Sequence, residues 1–354
     1  WHPRARSLFK VCDRPLWKAT GHNPVKLLQQ IAPYRLVAAA GDATFLKKYD
    51  AVMADFKADT SAGQAWFNTE YPHLSQHKIA YFSMEFALHN SLPIYAGGLG
   101  ILAGDYCKEA SDLGLPLVGV GFTYPQGYFQ QRISEDGWQE EVYRQLNFSE
   151  APITPVLTAQ KQPVKVEVKL DSRSVFMAVW QVNVGRVKLY LLDTNLEENS
   201  PDDRQLCARL YGGDRETRLQ QEIVLGIGGV RILRALGVEP TIWHANEGHT
   251  AFMMVERCRE LIEKGMDSAE AINQVRATTI FTTHTPVPAG NDTFSHSLLE
   301  KYFHRYWKSL GLERDAFLRL GTQESDSATF NMSVLGITLA QQRNGVSQLH
   351  GGVC

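Results

Sequence analysis

Paired cysteines are missing from this sequence. Its five cysteines, Cys12, Cys107, Cys207, Cys258 and Cys354, lie far apart, are odd in number and never stand in a CxxC spacing. That excludes a disulfide framework or a zinc ribbon and fits a reducing compartment, so we expect a cytoplasmic protein. Long apolar runs are missing too. The longest candidate, Leu113 to Phe122, carries Pro116 and several glycines. It is too short to span a bilayer and reads as a buried strand, so no membrane partner is expected. Neither sign of charge dominates. A formal net charge of −2 gives no electrostatic reason to expect nucleic acid or a lipid surface. Signal-peptide pattern, internal repeats and low-complexity tracts are absent. The chain opens at Trp1 without a methionine and stops at Cys354, just past a helical pattern, which leads us to expect a fragment at both ends.

What is present is an ordinary globular composition. The chain has 354 residues, 44% hydrophobic and 21% charged. That is enough for roughly two or three domains and a sizeable core. Residues 1 to 75 are helix-rich. Asn23 reads as a cap before Pro24, with Leu27, Leu28 and Ile31 at helical spacing, and Ala43 to Lys57 is a second helical stretch. The pattern changes at Lys78. A strand from Ile79 to Ser83, a glycine cluster, a helix to about Leu113 and a strand from Leu115 to Tyr124 make a βαβ unit. Such a unit implies an α/β fold with a parallel sheet and helices on its faces. Alternating residues at about 155–195 read as an antiparallel insertion, with a hairpin turn at Asn183 to Arg186. The βα rhythm then resumes with a helix from Thr217 to Leu236, a strand from Thr241 to His244, helices Thr250 to Glu263 and Ala269 to Arg276, and a strand from Thr278 to Thr283. A last helix is expected from Ala328 to Gln342, with Asn344-Gly345 as its C-cap.

Four segments carry candidate chemistry. Tyr95-Ala96-Gly97-Gly98-Leu99-Gly100 opens a helix, where bare backbone and unpaired N–H groups suit an anion. The plainer alternative is a tight turn that packs helix on strand. The segment is neither GxGxxG nor a Walker A sequence, which removes the nicotinamide and P-loop readings. Trp243-His244-Ala245-Asn246-Glu247-Gly248-His249 follows a strand, at whose carboxyl end ligands bind in open parallel sheets. Its spacing does not suit a metal, because a helical zinc pair needs histidines at i and i+4. His244 reads equally as a core histidine. Thr282 to Asp292, with His284, Pro286 and Pro288, is a stiff polar loop at another strand end, suited to a sugar with many hydroxyls. Glu85 sits in the apolar run Tyr81 to Phe86. As a buried carboxylate it must be hydrogen-bonded, so either it braces the glycine loop or it faces the ligand.

Together these segments resemble the bacterial short-form α-glucan (glycogen, starch or maltodextrin) phosphorylases. The resemblance rests on YFSMEFALHNSLPIYAGGLGILAGDYCKEASDLGLPLVGVGFTYPQGYFQQ, IWHANEGHTAFMM, FTTHTPVPAGNDTF and FNMSVLGITLAQQRNGVSQLHG. It implies an amino-terminal Rossmann-like domain over 76–354, after a helical extension over 1–75, within a two-domain (GT-B type) glycosyltransferase fold whose second domain is missing. It implies pyridoxal phosphate, held by a lysine of that second domain, and transfer of a terminal α-1,4 glucosyl unit to inorganic phosphate, giving glucose 1-phosphate. A homodimer is common in the family. By motif position, Gly97 and Gly98 match the loop beside the cofactor and substrate phosphates, and Leu99 a sugar-contact position. His284 matches the histidine against the transferred glucosyl unit, and Asn246, Glu247 and His249 the cleft loop that longer animal enzymes write Asn-Asp-Thr-His. Two alternatives stay open. One is a nucleotide-sugar glucan synthase fragment, although synthases carry a lysine just ahead of the glycines where this chain has Tyr95 and Ala96. The other is a noncatalytic glucan-binding short product.

Overall fold

The central element is a nine-stranded sheet in which six neighbouring strands run parallel. The computed structural model describes residues 2–61, 65–285, 291–323 and 326–353. In chain order the sheet strands are β1 (Ile79–Phe82), β2 (Leu117–Phe122), β3 (Thr154–Pro155), β4 (Lys165–Leu170), β5 (Arg173–Val184), β6 (Val187–Asp193), β7 (Ile242–Asn246), β8 (Thr279–Thr283) and β9 (Gln342–Gly345). Their spatial order is β9-β8-β7-β1-β2-β6-β5-β3, with β4 also paired to β5. Ala80, Tyr81 and Phe82 of β1 are all buried, as expected of a parallel strand covered on both faces.

The chain leaves β1 toward β2 and β6, then returns and builds outward through β7, β8 and β9. The order therefore reverses between β1 and β7, where Phe82 lies opposite Ala245. A crevice opens at the carboxyl ends of such a strand pair, because the connections leave on opposite faces.

The strands expected as an antiparallel insertion pair antiparallel with one another and join the main sheet. β6 pairs in parallel with β2 and antiparallel with β5, so the hairpin extends the main sheet. The helix expected from Thr217 to Leu236 is Arg215–Ile223, a π turn at Val224–Gly228, and Gly229–Ala235.

The expected last helix is corrected. It runs only from Met332 to Thr338. Its start is fixed by the Asn331 side chain, which accepts from the Ser333 and Val334 amides at 2.8 and 3.2 Å. Residues before it pair as a ribbon, Thr293–Ser295 with Thr329–Asn331. Asn344-Gly345 is not a C-cap but the end of β9, where Asn344 accepts from Thr282 Oγ1 of β8 at 2.9 Å. Tertiary pairing overrides the local cap signal there.

The helical extension forms where its caps say. Asp13 and Asn23 accept from Leu16 and Lys26 amides, each followed by a proline in the first turn. Trp17, Leu27 and Ile31 make a small core of its own. It docks through Asn23 Nδ2, which donates to the Glu150 carbonyl at 2.8 Å, and a Lys26–Glu150 ion pair at 2.9 Å. Cys107, Cys207 and Cys258 are buried as small hydrophobes. Cys354 lies outside the described residues. Among the described residues no helix is long and apolar enough to cross a membrane.

The helix Gly98–Leu113 sits unusually close to the strand Phe86–His89, because Gly104 has no side chain. A Cβ there would lie 2.1 Å from the Ala87 carbonyl oxygen, a backbone atom that cannot swing aside. Gly104→Ala is expected to destabilise the chain by about 1–3 kcal/mol, the scale of overpacking. Urea unfolding monitored by far-UV circular dichroism reads this directly. An unchanged midpoint would mean the helix can shift outward without penalty.

Candidate functional site

Three loops at the carboxyl ends of the adjacent strands β1, β7 and β8 meet at the crevice. A chain of hydrogen bonds crosses it. Ser83 Oγ donates to the Glu85 carbonyl at 3.0 Å. Having given its one proton, Ser83 Oγ accepts from Asn246 Nδ2 at 3.1 Å. The Asn246 oxygen therefore faces His284, whose Nε2 lies 2.6 Å away. An amide oxygen only accepts, so Nε2 carries the His284 proton and Nδ1 keeps the lone pair. Burial lowers the His284 pKa, partly offset by the Glu247 charge, so the ring is neutral at pH 7.

Glu85 takes the first of its two expected roles. It is 2% exposed. Its Oε2 accepts from the Ala96 and Gly97 amides at 2.7 and 3.1 Å, and its Oε1 from the Tyr211 hydroxyl at 2.6 Å. It braces the glycine turn. The Gly97 amide is thereby occupied. The open donors are the amides that begin the helix at Gly98, which has no side-chain cap and no acceptor within its own first turn.

The glycines of that turn divide by purpose. A Cβ on Gly100 would lie 2.6 Å from both Glu85 Oε2 and Tyr95 Cβ, so packing explains it. A Cβ on Gly97 or Gly98 would meet nothing within 4 Å, and Gly97 has a negative φ of −147°. Packing therefore does not require either glycine. What they leave bare is the solvent side of a helix start, beside half-buried Leu99.

Glu247 braces the second wall. Its Oε2 accepts from the His284 amide at 2.8 Å and Thr285 Oγ1 at 3.0 Å, and its Oε1 from the Gly248 amide at 3.0 Å. Ser333 Oγ lies 3.4 Å from Oε1, with a nearer acceptor in Asn291 Oδ1 at 3.0 Å. The Glu247 backbone φ is +86°, a conformation that costs a side-chain residue about 1–3 kcal/mol. Three donors on one buried carboxylate hold it there. Asn246 and His249 are also buried, at 1% and 2% exposure. His249 Nε2 accepts from the Met84 amide at 3.2 Å, so it fixes the β1 loop from behind.

Of the expected ligand contacts, then, Gly98, Leu99 and His284 line the open side with Gly97 beside them. Glu85, Asn246, Glu247 and His249 form the layer that holds them. Pro286 to Gly290 of the expected sugar loop lie outside the described residues. His244 is a core residue set edge-on to Tyr81 and Tyr106, with Nε2 2.8 Å from Thr282 Oγ1 and Nδ1 buried without a partner. Among the described residues no group of three metal-ligating side chains converges.

Sequence reasoning passed over Ser83, Tyr211, Arg218 and Ser333. Arg218 Nη2 donates to Asp292 Oδ2 at 2.8 Å, and its guanidinium lies 5.0 Å from the Tyr211 ring centroid. Ser83 and Ser333 lie inside the quoted segments without standing out in them, and no motif marks Tyr211 or Arg218. The one local signal is Arg218 and Glu222 at helical i, i+4 spacing, which reads as a surface pair until burial is known.

The arrangement can hold an anion at the helix start and accept a hydroxyl proton at His284 Nδ1. It offers no pair of free carboxylates for hydrolysis of a glycosidic bond, because Glu85 and Glu247 are both sealed. A mixed α/β domain with a large, mainly parallel sheet and a glycine turn at its switch point fits a domain of the glycosyltransferase type. Residues 1–92 match the model of a family described as a protein of unknown function, DUF3417. The whole chain is 45% identical over 353 residues to the maltodextrin phosphorylase of Thermococcus litoralis, covering 42% of that protein. It is 44% identical over 371 residues to the glycogen phosphorylase of Mycobacterium tuberculosis, covering 43%. It is also 40% identical over 351 residues, 99% of its length, to the glycogen phosphorylase of Aquifex aeolicus, covering 50%. The chain belongs to the bacterial α-glucan phosphorylase family, as an amino-terminal half, and spans about half the length of these curated relatives.

Burial pulls the His249 pKa down to about 3 and the His244 pKa down to about 4. Both folded values lie below the unfolded value of about 6.5. As pH falls, the unfolded chain therefore takes up protons first. The contribution of each neutral ring is whole above about pH 6.5 and is lost on the way down to its folded value. Each can remove up to about 1.4 kcal/mol per pH unit. His249→Gln keeps an acceptor for Met84 and removes one titration. Urea midpoints at pH 7.5, 6 and 5 should fall less steeply for this variant than for the wild type. Parallel slopes would refute the assignment of His249 as a buried neutral acceptor.

Proposed function

We propose that the protein carrying this chain is an α-1,4-glucan phosphorylase. It moves a glucosyl unit from the non-reducing end of an α-glucan to inorganic phosphate and releases glucose 1-phosphate. The supporting observation is the glycine turn, where Glu85 holds the loop from inside while Gly97 and Gly98 leave the outer side bare. Three similar proteins are named maltodextrin or glycogen phosphorylase. In this reading residues 1–75 are a helical extension. Residues 76–354 are the amino-terminal Rossmann-like half of a two-domain GT-B type fold, whose second half lies beyond residue 354. The enzyme works in the cytoplasm and pairs as a homodimer.

The bond between glucosyl C1 and the next sugar's O4 breaks, C1 joins a phosphate oxygen, and O4 leaves with a proton. Pyridoxal phosphate, carried by a lysine of the second half, supplies the phosphate that works with inorganic phosphate in that proton exchange. The residues of this chain suit such a group, because the helix start at Gly98 offers amides and a favourable dipole to a phosphate. Leu99 lies against the sugar. His284 Nδ1 accepts from a glucosyl hydroxyl, and the hydrogen-bond chain through Asn246 keeps that nitrogen unprotonated. Glu247 holds the loop that carries His284. Sealing both carboxylates removes a route by which water would take the glucosyl unit.

Three outcomes follow from these roles. In the full-length enzyme Gly98→Val should drop turnover to background while the fold survives, because the new Cβ meets no protein atom. Phosphate should then no longer raise the melting temperature as it does in the wild type. Persistence of that phosphate shift in the variant removes Gly98 from the site. His284→Ala should lower kcat/KM by about 1–3 kcal/mol of transition-state stabilisation, the scale of a lost hydrogen bond. The 354-residue chain alone, given maltoheptaose and phosphate, should yield no steady glucose 1-phosphate, because the cofactor carries the hard chemistry. Steady turnover by the chain alone contradicts the division of labour drawn above.

A further inference from the structure

The two walls of the site share one buried cation. Arg218 stands on the helix Arg215–Ile223 with a side chain only 13% exposed. Its Nη2 holds Asp292 Oδ2 at 2.8 Å, and the Asp292 carbonyl accepts from the Met332 amide at 3.0 Å. Asp292 stands eight positions after His284 in sequence. The neighbouring Ser333 Oγ donates to Asn291 Oδ1 at 3.0 Å and lies 3.4 Å from Glu247 Oε1, so this anchor stands against the His284 wall. On its other side the guanidinium covers the Tyr211 ring, and the Tyr211 hydroxyl donates to Glu85, the carboxylate that holds the glycine turn. Arg218 Nη1 also lies 3.1 Å from Met84 Sδ, in the β1 loop itself.

Two acids compete for this cation. Glu222 Oε1 lies 3.6 Å from Arg218 Nη2, and the Glu222 carboxyl is hydrogen-bonded to the Asp292 side chain. Burial, aided by the Asp292 charge, raises the Glu222 pKa well above the carboxylate range, so it is neutral. Asp292 goes the other way. Burial acts to raise its pKa, but the Arg218 charge, with the hydrogen bonds from Arg218 and from the neutral Glu222, outweighs it and leaves the value lowered. The ionic bond is thereby committed to the His284 loop.

We infer that Arg218 is a positioning residue for the reaction: it touches no reacting atom but ties the His284 loop, through Asp292, to the glycine turn, through Tyr211 and Glu85. The inference rests on the phosphorylase reading for its kinetic effect, though not for the coupling itself. A 1 Å misplacement of groups flanking a reacting bond costs on the order of 100-fold in rate. Neither Asp292 nor Tyr211 alone spans the two loops, and the guanidinium is the piece that spans both.

The experiment uses the full-length enzyme with Arg218→Gln, Arg218→Lys, Tyr211→Phe and Asp292→Asn. Arg218→Gln should lower kcat about 10- to 100-fold per folded molecule, with glucan KM changed far less. Arg218→Lys should recover part of the loss, because it can pair with Asp292 but cannot stack as a planar group on Tyr211. Tyr211→Phe and Asp292→Asn should be non-additive in the wild-type background and additive when residue 218 is Gln. Hydrogen exchange supplies a reading free of activity. Asp292→Asn should speed exchange in a peptide covering the Ala96 and Gly97 amides by tenfold or more, although Asp292 does not hydrogen-bond that turn. The inference is overturned if Arg218→Gln keeps kcat within twofold, or if the two outer substitutions are additive in the wild type. It is likewise overturned if glycine-turn exchange ignores Asp292. If wild-type enzyme makes no glucose 1-phosphate, the functional reading fails, while the exchange result still decides whether Arg218 couples the loops.

Discussion

A carboxylate taken out of water must be given hydrogen-bond donors, and the site is organised around two such carboxylates. Glu85 and Glu247 are 2% and 7% exposed. An unpaired ion in either place would cost several kcal/mol. Each is answered by donors from a loop that would otherwise have no fixed shape. Glu85 collects the amides of Ala96 and Gly97, and Glu247 collects those of His284 and Gly248. The need to satisfy the charge and the need to fix the loop are met by the same bonds. Removing either carboxylate would therefore free a whole wall of the crevice rather than one contact.

The sheet decides where those walls stand. β1 and β7 are neighbours although about 160 positions separate them in sequence. Their register sets Ser83 and Asn246 within hydrogen-bonding distance at the end of the pair. β8 adds His284 one strand further on. No single segment of the chain could assemble this line of groups. Parallel pairing does it, and the reversal of strand order opens the space above it.

Much of this arrangement can be read from residues. The βαβ unit, the helical extension with its Asn23 cap and the gathering of three loops at strand ends follow from apolar period, prolines and glycines. The brace role of Glu85 was one of two readings forced by burying a carboxylate. What sequence reasoning could not separate was contact from support. Asn246, Glu247 and His249 stand in a conspicuous motif, yet they are buried behind the surface that a ligand would meet. Gly97, Gly98 and Gly100 look alike in a row, and only atomic spacing tells the packed glycine from the bare ones. The Asn344-Gly345 pair has the composition of a helix end but lies in an edge strand, because its neighbour across the sheet, Thr282, supplies the partner. Arg218 was invisible, since its partners are 74 and 7 positions away in sequence.

The proton inventory of the crevice argues for how the two halves of the reaction must be divided. The titratable side chains of the three loops named above are committed to hydrogen bonds. Glu85 and Glu247 are held by donors, His249 is a neutral acceptor for a backbone amide, and the His284 ring donates to Asn246. On the proposed phosphorylase reading a departing glycosidic oxygen would need a proton, and none of these groups could deliver one without breaking a bond that holds a loop. General acid chemistry would then come from a group outside this set. In that reading a phosphate at the glycine turn, a weak acid with a second pKa near neutrality, would pass the proton instead. The rigidity of this wall and the commitment of its side chains are thus one property: groups fixed by full hydrogen bonding hold their positions well because none of them is free to exchange a proton.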